Sequence, residues 1–156
     1  MTLKRTAVSS PHLDALRDIL EIYASKADEL IAEAPNRAEK NLHLDNAERI
    51  REAREGLRQG RLQRFVSLAV SKRMLPVTRR VARHTSAFNH LERLPRSVGL
   101  EFCDAFRRAL VAEKRAETEL TKSGKLKREP GIYTGLDLNV AKLRKVRAVL
   151  EAGKAL

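Results

Sequence analysis

The chain contains a single cysteine and no tryptophan, and it is poor in the two residues that most often make turns. One cysteine, Cys103, cannot form an internal disulfide, so a disulfide scaffold is excluded. Seven glycines and five prolines are too few for a β-sandwich or barrel, which needs a turn every ~8–12 residues. A 33% share of charged residues with only 4% aromatics is typical of helical proteins with a large solvated surface. We therefore expect an all-α, single-domain irregular helical bundle of about five to six helices.

The sequence also lacks long apolar runs. Its longest uninterrupted apolar stretch is well short of the ~20 residues that cross a bilayer, and the first twelve residues contain no apolar core of a secretory signal. The helices do not carry aromatic residues opposite a basic side, so a membrane-surface anchor is not favoured. We expect no membrane partner and a reducing location, which is the cytoplasm, the nucleoid or the nucleus.

Sequence motifs of common catalytic and cofactor sites are missing. There is no glycine-rich phosphate loop, no Gly-x-Ser-x-Gly segment and no cysteine pair at zinc-binding spacing. None of the four histidines follows another at a distance of three or four residues, as a metal site on one helix requires. Cys103, beside Phe102, is expected to be a buried small hydrophobe, and His84 to be a core residue. The sequence thus predicts no metal, no cofactor and no enzymatic activity.

Positive charge is the strongest feature that is present. The chain has 32 Lys and Arg against 20 Asp and Glu, a formal net charge of +12. The excess lies mainly after Gly60, because residues 61–96 contain nine basic residues and one acidic residue, whereas residues 9–60 contain eight basic and eleven acidic. Charge of this size bears on partners rather than on fold. It predicts a polyanionic partner for the second half of the chain.

Residues 10–34 form the clearest helical segment. Ser10 and Pro11 are favoured at a helix start, and Pro35 stops the helix. Apolar residues recur along the segment at spacings of three and four, which is a heptad pattern. The members of this seam are Leu13, Leu16, Leu20, Tyr23, Ala27, Leu30 and Ala34. Such a seam packs either inside the monomer, against another helix of an antiparallel bundle, or against a partner helix in a homodimeric coiled coil.

Further helices follow from caps and stops along the chain. Asp45 and Glu48 have the spacing of a capping box and predict a second helix that ends at Gly60. A third helix, apolar on all sides and therefore central, is expected over 61–75, a fourth over 76–94, a fifth over 97–120 and a last one from residue 137 to about residue 153. The predicted organisation is a flexible N-terminus over 1–9, a bundle core over 10–120, an exposed basic loop over 121–135 and a C-terminal helix over 136–156.

The fourth predicted helix carries the first candidate binding surface. Its buried side is defined by Val77, Val81, His84, Phe88 and Leu91, and two residues further on, about 200° around the helix, a polar row recurs with the same spacing. Arginine and hydroxyl donors in a row can contact phosphates or, in the major groove, guanine edges. The candidate nucleic-acid-binding residues on this helix are Arg79, Arg80, Arg83, Ser86, His90 and Arg93. This hypothesis requires that carboxylates of the first two helices, such as Glu33 or Glu39, do not fold over and pair with the row.

A second basic cluster lies near the C-terminus, in a segment without helical periodicity and on the helix that follows it. Lysines in a loop suit sequence-independent phosphate contact. The candidate residues of this cluster are Lys122, Lys125, Lys127, Arg128, Lys142 and Lys145. The string from Tyr133 to Arg144 resembles the turn and recognition helix of a helix-turn-helix, but Pro130 and Gly131 stand where the first helix of that motif would end.

These patterns favour a non-enzymatic nucleic-acid-binding protein, with DNA favoured over RNA, that acts as a regulator or accessory factor in replication, transfer or packaging. The alternative is a helical protein-interaction adaptor, whose basic face binds an acidic protein and whose first helix binds a partner helix. A salt titration of binding to duplex DNA, single-stranded DNA and RNA separates the two hypotheses, because each neutralised phosphate releases counterions.

Overall fold

A computed structural model describes residues 10–83, 85–124 and 135–152, and the side chains of these residues apart from 10, 11, 85, 86, 121 and 135–138. This part of the chain is all-helical, as the sequence predicts. Seven α-helices lie in it: α1 (Ser10–Glu33), α2 (Arg37–Arg58), α3 (Gln63–Val70), α4 (Leu75–Ala82), α5 (Thr85–Leu91), α6 (Arg96–Lys122) and α7 (Gly135–Ala152). A 3₁₀ turn, Lys72–Met74, immediately precedes α4.

The first helix, α1, begins and ends close to the positions that the sequence predicts. The centre of its seam faces the interior, because Leu16, Leu20 and Tyr23 have no exposed surface within the monomer, while Leu13 and Leu30 are half-buried. α1 packs against α2, α4 and α5 of the same chain. Intramolecular packing therefore occupies the middle of the seam, and a partner helix could reach those three residues only if the bundle opened.

The second helix, α2, starts more than two turns earlier than predicted. The expected cap at Asp45 is wrong, because Asn36 caps the helix: its backbone is extended (φ −151°) and its side-chain oxygen accepts from the Glu39 amide at 2.9 Å. Asparagine is among the best N-cap residues, since its side chain satisfies an amide that has no partner inside the helix. Ile50 and Ala53, on the side of α2 that faces the bundle, are buried.

The third helix, α3, is shorter and more exposed than predicted. A continuous helix over 61–75 is wrong, because α3 ends at Val70, Ser71 is extended (φ −73°, ψ 124°) and the 3₁₀ turn follows. α3 is also not apolar on all sides. Phe65 and Leu68 are buried, but Val70 is 53% exposed. The turn at Ser71 redirects the chain and places the basic residues after it beside α2.

A continuous fourth helix over 76–94 is also wrong. α4 ends at Ala82 and α5 begins at Thr85, so two short helices replace it. At the end of α4 the Arg83 amide donates to the Arg80 carbonyl at 3.3 Å, a bond between residues three apart that closes the last turn of a helix. The predicted buried side is confirmed at Val77, Val81, Phe88 and Leu91, and His84, also predicted to be buried, lies outside the described residues. The break between the helices means that the polar row does not follow one straight axis.

The core is centred on Phe102 of α6. Its ring lies 4.9 Å from the ring of Phe65 in α3 and 6.0 Å, edge on, from the ring of Tyr23 in α1. Phe106, one turn later, continues the aromatic cluster to Phe88 of α5. Four helices therefore meet at one group of rings, and aromatic side chains of this size dominate the hydrophobic energy of a small core.

The last helix, α7, packs antiparallel against α6. Near the start of α6, Arg96 Nε donates to the Leu150 carbonyl at 3.1 Å, and a Cβ added to Gly99 would lie 3.0 Å from a Leu150 methyl group. One turn further along α6, Asp104 pairs with Arg147 of α7. The antiparallel order places the residues that follow Asp104 on α6 beside those that precede Arg147 on α7.

Candidate nucleic-acid interface

Arg80, on α4, is held by carboxylates of α1. Its Nη2 lies 2.5 Å from Glu33 Oε1, and its Nη1 lies 2.6 Å from Glu33 Oε2 and 3.2 Å from Glu29 Oε1. The hydrogen bond from Arg80 holds the pKa of the Glu33 carboxyl below its ordinary value, and the hydrogen bond to Glu33 raises the pKa of the Arg80 guanidinium. Glu33 is one of the acids that the sequence named as a competitor for the polar row, and it neutralises Arg80.

Three more residues of the predicted row have acidic neighbours. Arg83 Nη2 lies 2.5 Å from Glu113 Oε2 on α6. His90 Nδ1 and Arg93 Nη2 lie 3.4 Å and 3.8 Å from the same carboxylate oxygen of Asp18 in α1. Exposed ion pairs of this kind contribute little stability and can open. The carboxylates nevertheless stay close to the cations and would repel a phosphate that approached them.

Arg79 and Ser86 complete the predicted row. Arg79 is half-buried, and its Nε is enclosed with no hydrogen-bond partner among the described residues. The side chain of Ser86 lies outside the described residues. The condition that the row remains unpaired is not met at Arg80, Arg83, His90 and Arg93. The surface of α4 and α5 therefore offers much less free positive charge than its sequence suggests.

The structure describes three of the six predicted residues of the C-terminal basic cluster. Lys122, at the end of α6, and Lys142 and Lys145, on α7, are exposed, and in the described part of the chain none of the three has a carboxylate partner. The other predicted residues, Lys125, Lys127 and Arg128, lie outside the described residues. So do Tyr133 and Thr134 at the start of the string that resembles a helix-turn-helix.

The outer side of α6 carries cations that the sequence analysis missed. Arg107, Arg108 and Arg115 are exposed, and no ion pair or hydrogen bond engages their side chains within the described residues. We call these three residues and Lys122 the α6 basic face. The sequence does contain a signal for them, because Arg108 and Arg115 lie about 200° and 180° around the helix from the buried Phe106.

The α6 basic face is regular along the helix axis. Arg108, Arg115 and Lys122 recur every seven residues, which is close to two turns and about 10.5 Å of rise per step. Val111 lies between the first two on the same side, in an open hollow of about 570 Å³ that Arg107, Arg108 and Arg115 line. The carboxylate at the edge of the hollow, Asp104, is engaged by Arg147 and therefore does not neutralise the other arginines.

The basic surface continues from α6 onto α7. Arg107 and Arg144 are each three residues away from the Asp104–Arg147 pair, in opposite chain directions on antiparallel helices. The two arginines therefore lie at the same level of the helix pair, and both are exposed. Arg144 therefore adds an exposed cation beside the four of the α6 basic face.

Other kinds of site are not evident in the described residues. No group of three or more His, Cys, Asp or Glu side chains is arranged there to hold a metal ion. No described helix combines the length and apolar character that crossing a membrane requires. Comparisons of the chain with protein-family models, with curated proteins and with solved structures find no match.

Proposed function

We propose that the chain is a non-enzymatic nucleic-acid-binding protein that contacts the phosphates of a duplex through the α6 basic face. The observation that carries the proposal is the row formed by Arg108, Arg115 and Lys122, three exposed cations at seven-residue spacing. In the described residues no carboxylate pairs with any of them. Free cations are what phosphate binding needs, because the affinity comes from the release of counterions by phosphates that the protein neutralises.

The shape of α6 favours duplex DNA among nucleic acids. An α-helix is about 10–12 Å across, and the major groove of B-DNA is about 12 Å wide, so a helix with a basic outer side fits it. The major groove of A-form RNA is too deep and narrow for this. A single-strand surface is not favoured either, since Tyr23 and the four phenylalanines are buried and unavailable for stacking on bases.

Arginine in the row supplies both affinity and base contact. Arg108 and Arg115 can bind phosphates, or guanine edges in two-point fashion, whereas Lys122 and the lysines of α7 act as point charges for the backbone. Such a protein acts as a regulator or accessory factor in replication, transfer or packaging, in the compartment that holds the nucleic acid. Under this proposal Arg80, Arg83 and Arg93 stay in their ion pairs with carboxylates of α1 and α6 and do not contact DNA.

Fluorescence anisotropy with a duplex of about 20 base pairs, repeated from low to high salt, tests the proposal. The variant is Arg108→Glu/Arg115→Glu, and its matched control is Arg37→Glu/Lys40→Glu, which reverses two exposed cations on α2. We expect the α6 variant to lose at least about tenfold in affinity and to lower the slope of log affinity against log salt by about two. The control should change the affinity by less than about twofold.

Two results would contradict the proposal. One is equal binding by the parent and the α6 variant, which would move the contact away from α6. The other is the absence of measurable binding by the parent at physiological salt. If an acidic protein then co-purifies with the parent in stoichiometric amount and is lost from the α6 variant, the same face serves a protein partner and the chain is an adaptor.

A further inference from the structure

A second cationic site lies far along the chain from the α6 basic face, in a cleft between α2 and the turn that follows α3. The cleft has a volume of about 460 Å³. Arg49 and Glu52 line its α2 side, and Arg64, Lys72 and Arg73 line the opposite side. The volume lies within the range of about 300–1,000 Å³ that is typical of small-ligand pockets.

The charge in the cleft is unbalanced. Of the residues that line the cleft, one is acidic, Glu52. Its Oε2 lies 2.8 Å from Arg64 Nη1. The carboxylate is thereby matched to one cation. The side chains of Arg49, Lys72 and Arg73 make no ion pair within the described residues, so roughly three unpaired positive charges line the cleft. Cations gathered at this density repel one another unless an anion binds between them.

The backbone around the cleft is fixed by hydrogen bonds. Asn46, which is fully buried, donates from Nδ2 to the Arg73 carbonyl at 2.7 Å. The Arg61 amide donates to the Gly56 carbonyl at 2.8 Å, which closes the connection between α2 and α3. Ser67 Oγ donates to the Arg64 carbonyl at 2.6 Å. The two sides of the cleft are therefore held at a set separation before any ligand arrives, which lowers the entropy lost on binding.

The cleft also contains a hydroxyl group that is free to donate. Ser71 lines it, and the Ser71 side chain makes no hydrogen bond within the described part of the chain. Guanidinium, ammonium and hydroxyl donors together are the set that binds phosphate oxygens, with arginine giving two-point contacts and lysine a point charge. Leu68 and Met74 add apolar side chains to the lining of the cleft.

We propose that this cleft binds a small ligand through a diphosphate group, with Arg49, Lys72 and Arg73 as the charged contacts and Ser71 as a hydrogen-bond donor. A diphosphate carries about as many negative charges as the cleft has unpaired cations, and the cleft is too small to admit a duplex. The site shares no residue with the α6 basic face, so it stands independently of the proposed function. The same donors could also take up a phosphate of the nucleic-acid backbone, and the two sources are distinguished by experiment.

Isothermal titration calorimetry of the full chain with inorganic diphosphate, at physiological salt, tests this site. We expect saturable binding of one diphosphate per chain, with weaker binding of inorganic phosphate and none of acetate. The variant Lys72→Gln/Arg73→Gln should weaken diphosphate binding at least about tenfold, and the matched control Arg37→Gln/Lys40→Gln should leave it unchanged. Arg49→Met, on the other side of the cleft, gives a second variant, and circular dichroism shows whether each variant is folded.

The outcomes separate the two proposals. Diphosphate binding that is lost in the cleft variants and kept in Arg108→Glu/Arg115→Glu supports the site, whether or not the chain binds DNA. The proposal is wrong if diphosphate does not saturate, or if folded cleft variants bind it as well as the parent does. It is also wrong if the cleft variants lose duplex DNA and the parent shows no diphosphate binding, because the cleft would then belong to a nucleic-acid surface.

Discussion

Arg80 on α4 and Glu33 on α1 form a two-point ion pair, in which two guanidinium nitrogens lie 2.5 Å and 2.6 Å from the two carboxylate oxygens. This geometry matches the planar fork of arginine to the carboxylate and is more specific than a single contact. It joins two helices that are 47 residues apart in the chain. It also explains why a cation that stands out in the sequence is not free in the folded protein.

The Arg80 pair predicts how stability changes with pH. Arg80 lowers the pKa of the Glu33 carboxyl, and the pKa of the Glu29 carboxyl is lowered by a hydrogen bond from Lys26 and further by Arg80. Carboxyl groups with a lowered pKa stabilise the fold above their ordinary value of 4.5 and lose this effect as the pH falls below it. The melting temperature of Arg80→Met should therefore differ from that of the parent more at pH 7 than at pH 3. If the melting temperatures of the two proteins changed with pH in parallel, the ion pair would make no pH-dependent contribution to stability.

A buried hydroxyl pair predicts strong coupling between two other residues. Tyr23 Oη and Thr78 Oγ1 lie 3.1 Å apart, and both side chains are buried. Burial raises the pKa of the Tyr23 phenol, so the group stays neutral at all ordinary pH values. Tyr23→Phe leaves Thr78 without this partner and should cost about 1–3 kcal/mol of unfolding free energy, as should Thr78→Val.

The double variant Tyr23→Phe/Thr78→Val removes both polar groups at once. Its cost should be less than the sum of the two single costs, because no unpartnered hydroxyl remains in the core. Urea denaturation of the four proteins measures the coupling. Additive costs would mean that the two hydroxyl groups do not depend on each other.

Truncation of Phe102, at the centre of the aromatic cluster, should lower the free energy of unfolding more than truncation elsewhere in the core. Phe102 has no exposed surface and contacts the rings of Tyr23, Phe65 and Phe106. Phe102→Ala leaves a cavity that the three neighbouring rings and the packed helices cannot fill, and we expect urea denaturation to show a loss of about 3–5 kcal/mol in the free energy of unfolding. The matched change Leu120→Ala, at a 44% exposed position of the same helix, should cost less than about 1 kcal/mol. Similar losses for both would contradict the assignment of the core.

The sequence predicts those elements whose signals are local. Ser10, Pro11 and Pro35 bracket α1, and the heptad spacing identifies Leu16 and Leu20 as inward, because capping and periodicity act within a few residues. The start of α2 was missed although Asn36 and Glu39 carry a local signal of the same kind. The break between α4 and α5 is harder to foresee, since Val77, Val81 and Phe88 keep helical spacing across it.

The candidate surface depends on contacts that the sequence does not contain. Asp18 and Glu113 approach His90 and Arg83 only because α1 and α6 pack beside them, and nothing in the order of residues reveals that proximity. The α6 basic face, in contrast, does have a signal in the sequence. Arg108 and Arg115 lie on one stripe of the helix, which an analysis of periodicity can identify. Acidic residues elsewhere on α6 lower the net charge of the segment, so a count of charges along the chain does not reveal the stripe.

The single cysteine gives a way to follow opening of the fold. Cys103 is 1% exposed and packs beside the aromatic cluster, and burial raises the pKa of its thiol to about 12. Since the thiolate is the reactive form, a folded chain should react with a disulfide reagent at pH 8 at least about a thousandfold more slowly than a chain unfolded in guanidinium. Because reaction requires the chain to open, Phe102→Ala should raise the labelling rate of the folded state about tenfold for each ~1.4 kcal/mol of stability that it loses. Rapid labelling of the folded parent would show that Cys103 is reached without opening, and the packing of α6 against α7 would have to differ from the arrangement given above.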